Sequence, residues 1–135
     1  MLIRSKFKNE KIVWGLMSYT FDESISSSDQ RQLLDSFREN DAVEIFLFRN
    51  EENDNFIGAM VIEEQPAISQ EVGNIIVIHR LAVLPSYRNE GIGYQMYLEL
   101  RALYPAASFQ GSIMMSEIVK NWSIKYHESL EENNE

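Results

Sequence analysis

The chain opens on a short alternating run, Leu2 to Phe7, that reads as a strand, and then changes period. Ile12, Val13, Leu16, Met17 and Tyr19 or Thr20 recur at helical spacing, so a first helix follows. Asp22 to Ser28 is polar, and Ser27 with Gln30 three residues on forms a capping-box pair for a second helix carrying Leu33, Leu34 and Phe37. Asn40-Asp41 ends that helix. Val43 to Phe48 and Phe56 to Ile62 are β-rich runs separated by the turn-forming Asn50 to Asn55, which predicts a hairpin, and 63–73, with Pro66, reads as loop or frayed strand end.

Asn74 to Leu84 carries apolar residues on both parities, the pattern of a central strand covered on both faces, and Pro85 stops it. Ile92, Met96, Leu100 and Leu103 then mark a helix that closes before Pro105. Ser108 to Met114 is a short strand, and Ile118, Trp122, Tyr126 and Leu130, each four apart, make a last helix capped by Ser116, with Tyr126 in a core-packing position. The order predicts one α+β domain over 1–130 and a frayed acidic tail over 131–135. Its five-stranded sheet is mixed and mostly antiparallel, with helices on both faces. A crossover helix makes the fourth and fifth strands parallel.

Composition narrows the function. At 135 residues the chain is one domain long, and 44% hydrophobic with 24% charged residues is the balance of a globular protein. A formal net charge of −9 repels polyanions, so nucleic acid is not an expected partner. No apolar run approaches the roughly 20 residues of a membrane span. With no cysteine there is no thiolate nucleophile or disulfide, and His79 and His127 alone leave little for a metal, so no metal site is expected. The basic N-terminus lacks the apolar core of an export signal, which predicts a cytoplasmic location.

Chemistry concentrates in Leu81-Ala82-Val83-Leu84-Pro85-Ser86-Tyr87-Arg88-Asn89-Glu90-Gly91-Ile92-Gly93, a buried strand running through Arg-x-x-Gly-x-Gly into a helix. The first amides of a helix lack intrahelical acceptors and carry the positive end of its dipole, so they hold phosphate groups. Gly91 and Gly93 keep Cβ atoms from an approaching anion and Arg88 adds a cation, an arrangement suited to a pyrophosphate. The spacing matches neither the dinucleotide-binding nor the P-loop fingerprint. A glycine turn that merely lets the helix pack closely is the bland alternative.

The run from Ile78 through Gly93 resembles the coenzyme A binding motif of the GNAT superfamily of N-acetyltransferases, and the element order agrees over most of the chain. Met1-Leu2-Ile3-Arg4, Glu10-Lys11-Ile12, Gly15-Leu16 and Ser18 are similar to the RibT proteins encoded with riboflavin-biosynthesis genes. The resemblance implies a GNAT-like fold whose fourth and fifth strands splay apart around acetyl-CoA, the co-substrate. The main chain of Leu81, Ala82 and Val83 would hold the pantetheine, and Arg88, Asn89, Glu90, Gly91, Ile92 and Gly93 would surround the pyrophosphate. Asn121 would add a contact from the last helix.

The chain departs from the family where relatives carry a tyrosine proton donor on the last helix: His127 stands there. Glu131 replaces a family glycine, and the two following strands have no counterpart in the sequence. That predicts an open sheet edge covered by a second copy, giving a homodimer, or by a partner protein.

An acceptor amine must lose a proton before it attacks a thioester, and the oxyanion needs an N–H donor, for which Val83 is the choice. His79 and Glu63, with Glu64 as an alternative, are candidate general bases, and His127 is the candidate acid; each also fits a packed or solvated role. Lys120 and Lys125 fit either the adenosine phosphates or a solvated helix face. The expected activity is acetyl transfer to an amine, and the RibT resemblance implies an acceptor within riboflavin metabolism. A catalytically weak acyl-CoA-binding regulatory module is the rival, separated from it by turnover.

Overall fold

Five strands, Leu2–Arg4 (β1), Val43–Arg49 (β2), Phe56–Gln65 (β3), Ile75–Val83 (β4) and Ser108–Gly111 (β5), lie side by side in chain order in the computed structural model, which describes residues 1–69 and 71–133. Neighbours from β1 to β4 pair antiparallel, and β4 and β5 pair parallel. The helices are Glu10–Met17 (α1), Ser27–Glu39 (α2), Ile92–Leu103 (α3) and Ser116–Asn133 (α4), with 3-10 turns at Phe7–Asn9, Ser18–Thr20 and Pro85–Tyr87. This is the mixed, open sheet that the element order predicts.

Two cores sandwich the sheet. On one face Met96, Tyr97 and Leu100 of α3 and Val119 of α4 pack on Phe46, Met60, Ile62, Ile76 and Ile78. On the other, Val13, Leu16 and Met17 of α1 and Leu34 of α2 pack on Ile45, Leu47, Val61 and Ala82. β4 is therefore covered on both faces, as its two-parity pattern requires. Tyr126 packs against the first core, beneath the Arg101 guanidinium 4.0 Å from its ring centroid.

Parity along β4 also changes partway. Ile62 pairs with Ile78 and Val61 with Arg80, so His79 is an extra residue with no partner on β3, a β-bulge. Ile76 and Ile78 face α3 and α4 before the bulge, and Leu81 and Val83 face the same core after it. The bulge thus rotates the second half of β4 by one position, which decides where Arg80 and the 81–83 backbone point.

Local capping differs from the sequence reading in two places. Ser26, not Ser27, caps α2: its extended backbone lets Oγ accept from the Asp29 N–H at 3.1 Å, while Gln30 Nε2 donates to Ile25 O. The Ser116 hydroxyl donates back to Ile113 O, and the Val119 N–H bonds Met115 O. β3 runs on through Glu63 and Glu64 to Gln65, past the strand end predicted at Ile62, because both carboxylate-bearing residues pair with β4. β5 stops at Gly111, where a Cβ would lie 2.5 Å from the Met115 carbonyl group. Of the expected acidic tail, 131–133 continue α4, and 134–135 lie outside the described residues. No described helix is long and apolar enough to cross a membrane.

Candidate functional site

β5 pairs with β4 only along Ile75 to Ile78. Ser112 makes the last links, its N–H to Ile78 O and its Oγ to His79 O, both at 2.9 Å, and beyond them β4 continues without β5. On the opposite edge the Leu84 N–H donates to Ile57 O at 2.8 Å. Antiparallel alternation then turns the Ala82 N–H toward β3 and the N–H groups of Leu81 and Val83 into the opening. These two donors face a cavity of about 570 Å³, walled by β4, by Tyr87 to Asn89 and Gly91 to Tyr94, and by Met114, Ile118 and Trp122.

The cavity ends at the start of α3. Asn89 (φ 67°) and the N-cap Gly91 (φ 77°) are both left-handed, so the backbone curls there. No side chain caps the helix, and its first intrahelical bond runs from the Gln95 N–H to Gly91 O at 3.0 Å. The amides of Ile92, Gly93 and Tyr94 are left for a ligand or water at the positive end of the dipole. A Cβ on Gly91 would meet nothing within 4 Å, whereas one on Gly93 would lie 3.0 Å from Trp122 Cζ2. The two glycines therefore serve different ends. Gly91 supplies the conformation and leaves the cradle open; Gly93 lets Trp122 of α4 approach, a packing role in place of the anion clearance read from the sequence.

Arg88 is exposed at the mouth, its Nε donating to Val83 O at 3.2 Å and its guanidinium 5.6 Å from the Tyr19 ring centroid. Asn89 and Ile92 line the cavity, but Glu90 lines a neighbouring surface hollow with Arg49, Asn50 and Gln95. Lys125 lines the cavity, its Nζ 4.2 Å from the Tyr94 ring centroid. Burial, seconded by Tyr97 and Tyr126, raises the Tyr94 phenol above its ordinary value, so it stays protonated at neutral pH. Asn121 is exposed on α4 outside the cavity lining.

His79 and Glu63, two separate candidates in the sequence, form one pair: Nε2 and Oε1 are 3.0 Å apart and both side chains are about three-quarters buried (27% and 26% exposed). His79 also packs near the Phe37 ring and lines a second cavity of about 550 Å³ with Leu33, Ser112, Ile113 and Met114. Arg80 and Met114 line both cavities and so mark where they adjoin. Glu64 pairs with Ile76 in the sheet. His127 lies elsewhere, exposed on α4 and edge-on to Tyr126, lining a hollow beside Phe109, Gln110 and Lys120 at the outer side of β5. The cleft between β4 and β5 does not contain it.

Tyr19, Thr20 and Arg80 line the cleft and were not among the sequence candidates. Arg80 left a signal, a charged side chain inside an otherwise apolar central strand. Tyr19 and Thr20 left none, since they reach the cleft only through the 3-10 turn that follows α1.

The model of the Acetyltransferase (GNAT) family matches residues 10–130. An uncharacterized N-acetyltransferase in the lysA 3′ region of Bacillus methanolicus is 35% identical over 106 residues, 78% of this chain and 80% of that protein. Among solved structures, the aminoglycoside 6′-N-acetyltransferase AAC(6′)-IG from Acinetobacter haemolyticus superposes with a TM-score of 0.63 at 13% identity, over 96% of this chain and 88% of that one. The aminoglycoside N-acetyltransferase AAC(6′)-Iy in complex with CoA gives a TM-score of 0.63 at 13% identity, over 96% and 85%. At such identities these two show the shared fold.

Proposed function

The chain belongs to the GNAT acetyltransferase family, whose members use acetyl-CoA, and we propose that it transfers the acetyl group to an amine held beside the His79–Glu63 pair. The observation that carries this reading is the coincidence of two sets of free backbone donors in one cavity: Leu81 and Val83 where β4 leaves β5, and the uncapped start of α3. The residues fit the donor substrate. The 81–83 main chain, with Ala82 held against β3, would seat the pantetheine. The amides of Ile92 and Gly93, with Gly91, Arg88 and Asn89 around them, would seat the pyrophosphate. Acetyl-CoA supplies an activated acyl group.

The remaining steps fall to side chains and peptide groups of the chain. The Glu63–His79 pair takes the proton that the amine must lose, and the Val83 N–H stabilises charge developing on the carbonyl oxygen. Glu90, Asn121 and His127 lie outside the cleft lining and take no part in these steps. Similarity of the first eighteen residues to RibT proteins supports a link to riboflavin metabolism as part of this reading. A cytoplasmic location goes with it, since the donor is a cellular metabolite. A second copy over the outer edge of β5 also belongs to it, supported by the hollow there lined by Phe109, Val119 and Ile124. Sedimentation at tens of micromolar tests that dimer, and a monomer refutes it.

Acetyl-CoA at 100 times its dissociation constant should stabilise the fold by about 2.7 kcal/mol, which raises the melting temperature by roughly 8–10 °C for a chain this long. Release of free CoA thiol across an amine panel then reads turnover. A thermal shift without thiol release identifies the weak binding module instead, and no shift with acetyl-CoA or CoA removes both.

A further inference from the structure

A guanidinium partly withdrawn from water is costly unless polar groups or an anion answer it, and Arg80, half-buried on β4, is such a group. Its Nη1 donates to Thr20 O at 3.1 Å and to Thr20 Oγ1 at 2.9 Å, and the guanidinium carbon lies 4.4 Å from the Phe21 ring centroid. These contacts occupy one nitrogen and one face. Among the described residues no carboxylate pairs with it, although Arg4, Arg31 and Arg38 pair with Glu44, Asp35 and Glu10. Arg49, Arg88 and Arg101 likewise have no carboxylate partner among the described residues, so what sets Arg80 apart is its place between two cavities. Burial lowers its pKa below the ordinary guanidinium value.

Position supplies the second argument. The bulge at His79 sets the direction of Arg80, and Arg80 lines both the cleft of the Leu81 and Val83 donors and the cavity that His79 lines. With Met114 it stands on the boundary the two cavities share. Nε and Nη2, the edge not used by Thr20, form the planar fork that matches a carboxylate with two parallel hydrogen bonds. An amino acid is a zwitterion, so the net charge of −9 does not repel it as it repels a multiply charged anion.

Given the acetyl-transfer reading, we propose that the acceptor is an amine that also bears a carboxylate, seated on the Nε/Nη2 edge of Arg80 between the β4–β5 cleft and the His79–Glu63 pair. In the step it undergoes, the amine nitrogen bonds the acetyl carbonyl carbon and the thioester C–S bond breaks. The ammonium nitrogen loses two protons in all: one passes through the pair to water, and the other ends on the departing sulfur, which leaves as the CoA thiol. The product keeps its carboxylate and loses its positive charge.

The test is a panel of α-, β- and ω-amino acids, each with its carboxamide, plus aliphatic diamines, against the wild type, Arg80→Met and Arg80→Lys. Thiol release gives kcat and KM, and the melting shift each compound adds to CoA-saturated protein gives binding without turnover. The expected result is an accepted amino acid at least tenfold above its carboxamide in kcat/KM, carried by KM. Arg80→Met should erase that preference and Arg80→Lys keep part of it, with the acetyl-CoA melting shift intact in both. If Arg80→Met does not fold, the wild-type ratio of acid to carboxamide decides alone. Carboxamides or diamines equal to the acids would overturn the proposal. So would a preference undiminished in Arg80→Met, or a panel with no amino acid bound or acetylated while acetyl-CoA still shifts the melt. Absence of that acetyl-CoA shift in the wild type would refute the acetyl-transfer reading instead.

Discussion

Gly91 offers a substitution in which stability and ligand binding come apart. Its φ of 77° costs an alanine roughly 1–2 kcal/mol, while the stiffer unfolded chain returns about 0.4–1, so Gly91→Ala should lose about 1 kcal/mol. Taking an unfolding entropy of roughly 2.1 cal/mol/K per residue over 135 residues, that lowers the melting temperature by about 3–4 °C. Asparagine tolerates the left-handed region, so Gly91→Asn should lose less than half as much. Both substituents project into the open space at the cradle, where no protein atom lies within 4 Å, and both should weaken acetyl-CoA binding at least tenfold, about 1.4 kcal/mol. Calorimetric melting and titration calorimetry on the three proteins measure the two effects separately. Equal melting temperatures for the alanine and asparagine variants would reject the strain argument, and unchanged acetyl-CoA affinity would reject the cradle.

Gly111→Ala should cost at least about 2 kcal/mol in urea unfolding, because its Cβ would meet the Met115 backbone, which cannot rotate away, whereas Gly15→Ala in α1 meets nothing and should gain roughly 0.5–1 kcal/mol. If the His79–Glu63 pair takes the acceptor proton, Glu63→Gln and His79→Gln should each lower kcat by roughly 10²–10⁴ while the acetyl-CoA melting shift stays, and the double variant should be little worse than either. Raising the pH through and above about 10 should destabilise the protein, because the unfolded chain ionises Tyr94 before the folded one does and so binds fewer protons. The fall measured by denaturation should be shallower in Tyr94→Phe.

Much of the fold is legible in period and punctuation. The both-parity run ending at Pro85 fixes β4 as central, and the glycines after Arg88 fix where α3 begins, because these are local consequences of sterics and burial. The cradle half of the site was legible for the same reason, since its contacts are backbone groups at a strand-to-helix turn. Capping by Ser26 instead of Ser27 was beyond that reach: both serines satisfy the pattern, and only the extended backbone at Ser26 separates them.

What the sequence determined by itself, then, is the order of elements, the central strand and the anion-binding turn, because each depends on residues within a few positions of one another. Tertiary structure decided the rest. It joined His79 to Glu63 across two strands, turned His127 to the outer side of β5, gave Gly93 to Trp122 and left Arg80 without a carboxylate between two cavities. Those outcomes depend on sheet register, and on a one-residue bulge that redirects every side chain beyond it. No local spacing encodes which residue of a nine-residue, mostly apolar strand will be the one left unpaired.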